Sequence, residues 1–263
     1  MKYLSKEDAY LGPNGVVSPQ KNQIRDFFLY IAIFALVVMV SFFIMSYANA
    51  VNVKTYVPTN AKKYLPDLNS ILDSRWPQFS SPQLFAGQIE QESCISLTNS
   101  RCWDPRAELK TAREYGFGLG QITIAYRSDH SVRFDNFQEA KKLIKDPNWE
   151  WNDRFNPAKQ MLTIVEMDRG NYLWAKFAET ETDRIAFMFV AYNSGRGGIM
   201  QDRVLCSRVS TCNENKWWSN VELRSNKSKV AAKGYGQSFF TISREYPRNI
   251  MYLRSDKYIP YFQ

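Results

Sequence analysis

Histidine is almost absent from this chain: His130 is the single one among 263 residues. A zinc amidase or peptidase centre that draws two or three ligands from histidine therefore cannot be assembled. Cysteine is scarce too, four residues spaced C-x7-C and C-x5-C, and neither spacing is usual for zinc. A papain-like pairing of Cys94 with His130 lacks any local signature and would leave three cysteines over. The alternating Gly116, Gly118 and Gly120 of "REYGFGLGQIT" are not followed by the Gly-Lys-Ser/Thr of a phosphate loop. Strand signals are few, apart from "GQITIAY", and there is neither an internal repeat nor a low-complexity tract. What remains is a helix-rich domain.

The residues that are present support a sizeable core and an anionic partner. The chain is 44% hydrophobic and 15% aromatic, which argues against disorder. Lys and Arg number 34 against 26 Asp and Glu, a formal net charge of +8. That balance suits an anionic cell-wall polymer, an acidic membrane surface or nucleic acid. No nucleic-acid-binding motif accompanies the charge, so nucleic acid is not expected as a partner. Trp103, Trp149, Trp151, Trp217 and Trp218 are candidates for stacking on sugar rings, most of them expected in the core.

Residues 27–47, "FFLYIAIFALVVMVSFFIMSY", carry no charge. A helix of roughly 21 residues spans a ~30 Å hydrocarbon layer, so one transmembrane helix is expected here. Ala48-Asn49-Ala50 fits a signal-peptidase site, but the apolar run exceeds the ~7–15 residues of a signal core, and an uncleaved anchor is the expectation. Lys21 and Arg25 precede the segment while Lys54, Lys62 and Lys63 follow it, so charge does not orient it. All the cysteines lie after it, as suits an oxidising compartment; reduced thiols in a cytosolic domain are the other reading. The local disulfides Cys94–Cys102 and Cys206–Cys212 are expected among the possible connectivities.

Residues 1–26 read as a polar tail, 48–66 as a linker, and 67–263 as one helix-rich domain. Ser81 is expected to cap a helix with Pro82 at its first position, running to about Cys94. Asn156-Pro157 should open another, with Gly170 as its stop. Thr182 or Asp183 should open a third, "RIAFMFVAYN", apolar nearly all round and ended by Gly195.

The stretch "FAGQIEQESCISL" holds two glutamates on the first of these helices. Phe85, Ile89 and Glu92 stand at i, i+4 and i+7, one stripe of the wheel, whereas Glu90 lies about 140° from Phe85 and is expected in solvent. A carboxyl against apolar walls holds its proton toward neutral pH, the requirement for a general acid. An internal cap or salt bridge is the competing role for Glu92.

Further along, Gln121 offers a donor and an acceptor beside the glycines, "AYNSG" delivers Tyr192 and Asn193 at a helix end, and "REYPRNI" contains Tyr246. Taken in order, Gln91-Glu92-Ser93, Gly118-Leu119-Gly120-Gln121-Ile122, Ala191-Tyr192-Asn193-Ser194-Gly195 and Tyr246 ahead of Asn249-Ile250 resemble the soluble lytic transglycosylases. These are peptidoglycan-cleaving relatives of goose-type lysozyme. The resemblance spans about residues 80–252.

It implies a mainly α, lysozyme-like (α+β) domain with Glu92 as the single catalytic acid/base, metal-independent and without cofactor. Gln121 would line the glycan cleft, Tyr192 and Asn193 would position sugar and carboxyl, and Tyr246 would bond near Glu92. The implied reaction cuts the β-1,4 bond between N-acetylmuramic acid and N-acetylglucosamine and leaves a 1,6-anhydro end. The implied partners are peptidoglycan strands, with the bilayer held through 27–47, and components of a virion or of a secretion or conjugation machine. Location at the inner membrane with a periplasmic domain is expected, a virion being the alternative. Where the family pattern has Ser, Gly and Met, this chain has Ala112, Tyr115 and Gly120. An inactive assembly protein therefore stays open, as does lysozyme-like hydrolysis with Asp129 or Asp135 as second carboxylate.

Overall fold

The computed structural model describes residues 51–232 and 234–263. The expected tail (1–26) and membrane helix (27–47) lie outside them, and no helix among the described residues is long and apolar enough to cross a membrane. One compact unit runs Asn52–Gln263. Residues 52–66 are thus part of the domain rather than a linker: helix α1, Ala61–Arg75, begins there and buries Ala61, Tyr64 and Leu65 in the largest core cluster.

The domain is mainly α with one small sheet. Helix α2 covers Gln83–Ser93, α3 Asn136–Leu143, α4 Pro157–Trp174, α5 Glu181–Ser194, α6 Arg196–Ser207 and α7 Phe239–Asn249. Strands β1 (Glu108–Lys110), β2 (Glu114–Phe117), β3 (Ile122–Tyr126) and β4 (Val132–Asp135) pair antiparallel in the order β1-β2-β3-β4. Only β3 was foreshadowed in sequence, because strands of three to five residues leave too little alternation to read.

Helix ends follow the local chemistry with three exceptions. Asn156 caps α4 by accepting from Lys159 N–H, but α5 is capped by Thr180, which accepts from Asp183 N–H, rather than opened by Thr182 or Asp183. Ser81, however, makes no side-chain cap; Pro82 occupies the cap position of α2 and the Ser81 carbonyl accepts from Leu84 N–H. Gly170 does not stop α4, which continues to Trp174 because Asn171 is buried and Tyr172 packs on Trp76 and Phe79 beyond it. Tertiary burial there outweighs the roughly 1 kcal/mol helix cost of one glycine.

The principal core lies between α1, α2, α4 and α5, with Phe85, Ile89, Ile164, Val165, Met188 and Phe189 fully buried. Each such side chain contributes about 1.5–3 kcal/mol by leaving water. The segments Ile250–Arg254 and Asp256–Tyr261 close over the far side of α2, so that helix is enclosed on nearly every face. Both expected disulfides are formed, Cys94–Cys102 and Cys206–Cys212. The first ties the end of α2 to the loop bearing Trp103, by closing a short loop worth about 2–3 kcal/mol. Its thiols are consumed, which removes Cys94 as a nucleophile.

Candidate functional site

Where α2 ends, Glu92 reaches the floor of a cleft of about 760 Å³ that runs between the sheet and the C-terminal end of α5. Gln121, Tyr192 and Asn193 line the same cleft. Tyr246, 4% exposed on α7, stands behind it and donates its hydroxyl to Glu92 Oε1. Four separate stretches of sequence thus meet at one cleft.

Glu92 itself is half-buried. Its desolvation raises the pKa from 4.5 to about 7, against the opposing pull of the Tyr246 hydrogen bond. The sign for stability follows: the folded state holds this proton more tightly than the unfolded chain, so Glu92 costs nothing below about pH 4.5 and destabilises progressively as pH rises through about 7. Burial and the Glu92 charge also push the Tyr246 and Tyr192 hydroxyls well up, so both remain proton donors. Replacing Tyr246 by Phe should raise the Glu92 pKa further, moving the alkaline limb of a pH–rate profile upward while turnover falls roughly ten- to hundredfold. An unmoved or lowered limb would mean that this hydroxyl does not serve the ionised carboxylate.

The glycine-rich stretch is the β2–β3 turn. Gly118 adopts φ +79°, and a Cβ there would lie 2.4 Å from the side-chain amide of buried Gln160. Gln160 in turn holds the turn in place, accepting from Leu119 N–H at 2.9 Å and donating to the carbonyls of Pro105 and Arg154. At Gly120 a Cβ would meet Tyr192 Oη and Ile164 at 2.6 Å, so the small residue is required by the close approach of α4 and α5. Tyr192 donates to the Gly120 carbonyl at 2.7 Å and stacks on Tyr246, ring centroids 6.5 Å apart. It therefore pins the turn to the back wall rather than bonding Glu92.

Other expected residues fall elsewhere. Asn193 is exposed, with Oδ1 accepting from its neighbour Ser194, and has no hydrogen bond to Glu92. Asp129 bonds Ser131 on an exposed turn, and Asp135 caps α3; neither reaches the cleft. None of the candidate tryptophans lines it, Trp103, Trp149 and Trp217 being fully buried. Ser93 is structural: it donates to Ile89 O and accepts from Trp103 N–H.

Glu90 reverses its expected position. It is fully buried, paired with Lys257 at 2.7 Å and Arg254 at 2.9 Å, and accepts from Tyr258 at 2.6 Å. The wheel alone could not foresee this, because the cover comes from the far end of the chain.

Three carboxyls went unremarked in the sequence. Glu108 and Glu114 project from β1 and β2 into the cleft, where Tyr115 bonds Glu108 and holds its pKa low, and Tyr235 donates to Glu114 at 2.5 Å. Asp168 lies fully buried on α4, and its signal is of the same kind: Met161, Ile164 and Asp168 stand at i, i+3 and i+7, one helical stripe, as Phe85, Ile89 and Glu92 do at i, i+4 and i+7. A scan against protein-family models and a search of curated proteins each found no match.

Proposed function

We propose that this protein belongs to the class of glycan-cleaving enzymes that work through one protonated carboxyl. Within that class we read it as a membrane-anchored peptidoglycan lytic transglycosylase, with a lysozyme-like domain held at the periplasmic face of the inner membrane by residues 27–47. The observation that carries the reading is Glu92, half-buried on the cleft floor, bonded by Tyr246 and poised near pH 7. A group with that pKa can act as acid and base in succession.

Glu92 gives its proton to the glycosidic oxygen as the bond to the muramic anomeric carbon breaks. The resulting carboxylate then takes the proton of the muramic 6-hydroxyl as that oxygen bonds the anomeric carbon. An intramolecular hydroxyl needs no second carboxylate to activate water, because its effective concentration is already high. Gln121 lines the wall of the cleft, its Nε2 held by the Gly118 carbonyl at 3.1 Å.

Local clearance of the wall suits a tethered enzyme of an envelope-spanning or phage machine. Lysozyme-like hydrolysis is the second reading, favoured by Glu108 and Glu114 on the opposing sheet wall, either of which could activate water. Mass spectrometry of products released from purified sacculi separates the readings. The 1,6-anhydro ends are expected; reducing ends would assign hydrolysis, and no release would leave an inactive assembly protein.

A further inference from the structure

Behind the cleft stands a carboxyl that no described cation neutralises. Asp168 is 0% exposed, and neither of its oxygens has a hydrogen-bond partner among the described residues. It faces the side-chain amides of Gln88 and Asn171, with the Glu92 carboxyl nearby. Gln88, equally buried, donates Nε2–H to Tyr246 Oη at 3.3 Å while its own Oε1 lacks a donor. Tyr246 then donates to Glu92.

Helix α2 brings Glu92, α5 Tyr192 and α7 Tyr246. Of the cations in the vicinity, Arg196 from α6 is engaged by Asn171 Oδ1 at 2.9 Å, while Arg75 from α1 and Arg169 pair with Glu166. An ionised Asp168 would be a buried charge without partner, at a cost of several kcal/mol.

We propose that Asp168 is a positioning residue for Glu92: a neutral acid whose O–H supplies the donor that Gln88 Oε1 lacks, leaving Gln88 Nε2–H for Tyr246 and the Tyr246 hydroxyl for Glu92. An amide has one donor end and one acceptor end. Were Asp168 ionised, Gln88 would turn its N–H groups toward it and present Oε1 to Tyr246, whose hydroxyl would then leave Glu92. Burial first, and the Glu92 charge with it, hold the proton on Asp168 well above the usual carboxylate range, outweighing the downward pull of the Gln88 and Asn171 amides. Of the two acids, ionisation falls to Glu92. Asp168 does not line the cleft, so it touches no substrate.

The proposal rests on Glu92 as the working acid, and its test has an arm that needs no activity. In the full chain, infrared spectra at neutral pH should contain a carboxylic-acid carbonyl stretch that persists in Glu92→Gln, where the half-protonated Glu92 no longer contributes, and vanishes when Asp168→Asn is added to that variant. Asp168→Asn keeps an N–H donor for Gln88 and should retain turnover within about threefold with an unchanged alkaline limb. Asp168→Val removes the donor; turnover should fall about tenfold or more at nearly constant KM, and the limb should move upward. Absence of the acid band in Glu92→Gln overturns the proposal, as does an Asp168→Asn variant as impaired as Asp168→Val. If the chain cleaves no peptidoglycan, the infrared band and the Glu92 titration in Asp168→Val still decide it.

Discussion

Glu92→Gln in the full chain is expected to lower the release of muropeptides from purified sacculi by roughly 10²–10⁴-fold. Gln is nearly isosteric and still accepts from Tyr246, so the cleft should survive while the transferable proton is lost. The thermal midpoint should stay level at low pH and rise relative to wild type above pH 7, because the variant no longer carries a buried carboxyl whose pKa is held near 7. The pH dependence of the wild type follows from the same displacement: the acid form falls away as pH rises through about 7, and cleavage should fall with it. Dye release across pH 5–9 together with melting curves measures both. A variant that keeps more than a tenth of wild-type turnover would sink the assignment of Glu92.

Glu90→Ala should do the reverse, costing stability first. Glu90 and Lys257 are both essentially removed from water, their side chains 0% and 2% exposed. Deleting the acid leaves Lys257 and Arg254 facing one another in the interior, a loss of about 3–5 kcal/mol. For a domain of this size the thermal midpoint should drop by roughly 10 °C. Burial already pulls the Lys257 ammonium down, opposed by Glu90, so the unpaired lysine should shed its proton toward neutral pH. A denaturant or thermal melt reads the effect; a shift below 1 kcal/mol would mean that the pair is not shielded from water. Two glutamates two positions apart are thus predicted to separate, one as a loss of rate and the other as a loss of fold.

Much of the site was legible because its signals are local. The stripe of Phe85, Ile89 and Glu92 is a property of eight consecutive residues, and the Asn156 cap is fixed by a neighbour three positions on. The cysteine pairs were legible for the same reason, each closing a short loop. The sheet was not, since its four short strands are held by pairing and by the Phe117, Phe137 and Trp149 cluster beneath them rather than by alternation.

The amino-acid order alone determined a helix-rich domain, which glutamate shares a stripe with the core of its helix, and which cysteines are near enough to join. Only the tertiary structure decided that Glu90 is buried, that Asp129 and Asp135 stay out of the cleft, that Glu108 and Glu114 line it with Glu92, and that Asp168 stands behind it. The reason is physical. A helix wheel fixes the direction of a side chain relative to its own axis, but solvent exposure depends on what packs against every face, and α2 is covered by residues 250–261, which lie more than 150 positions away.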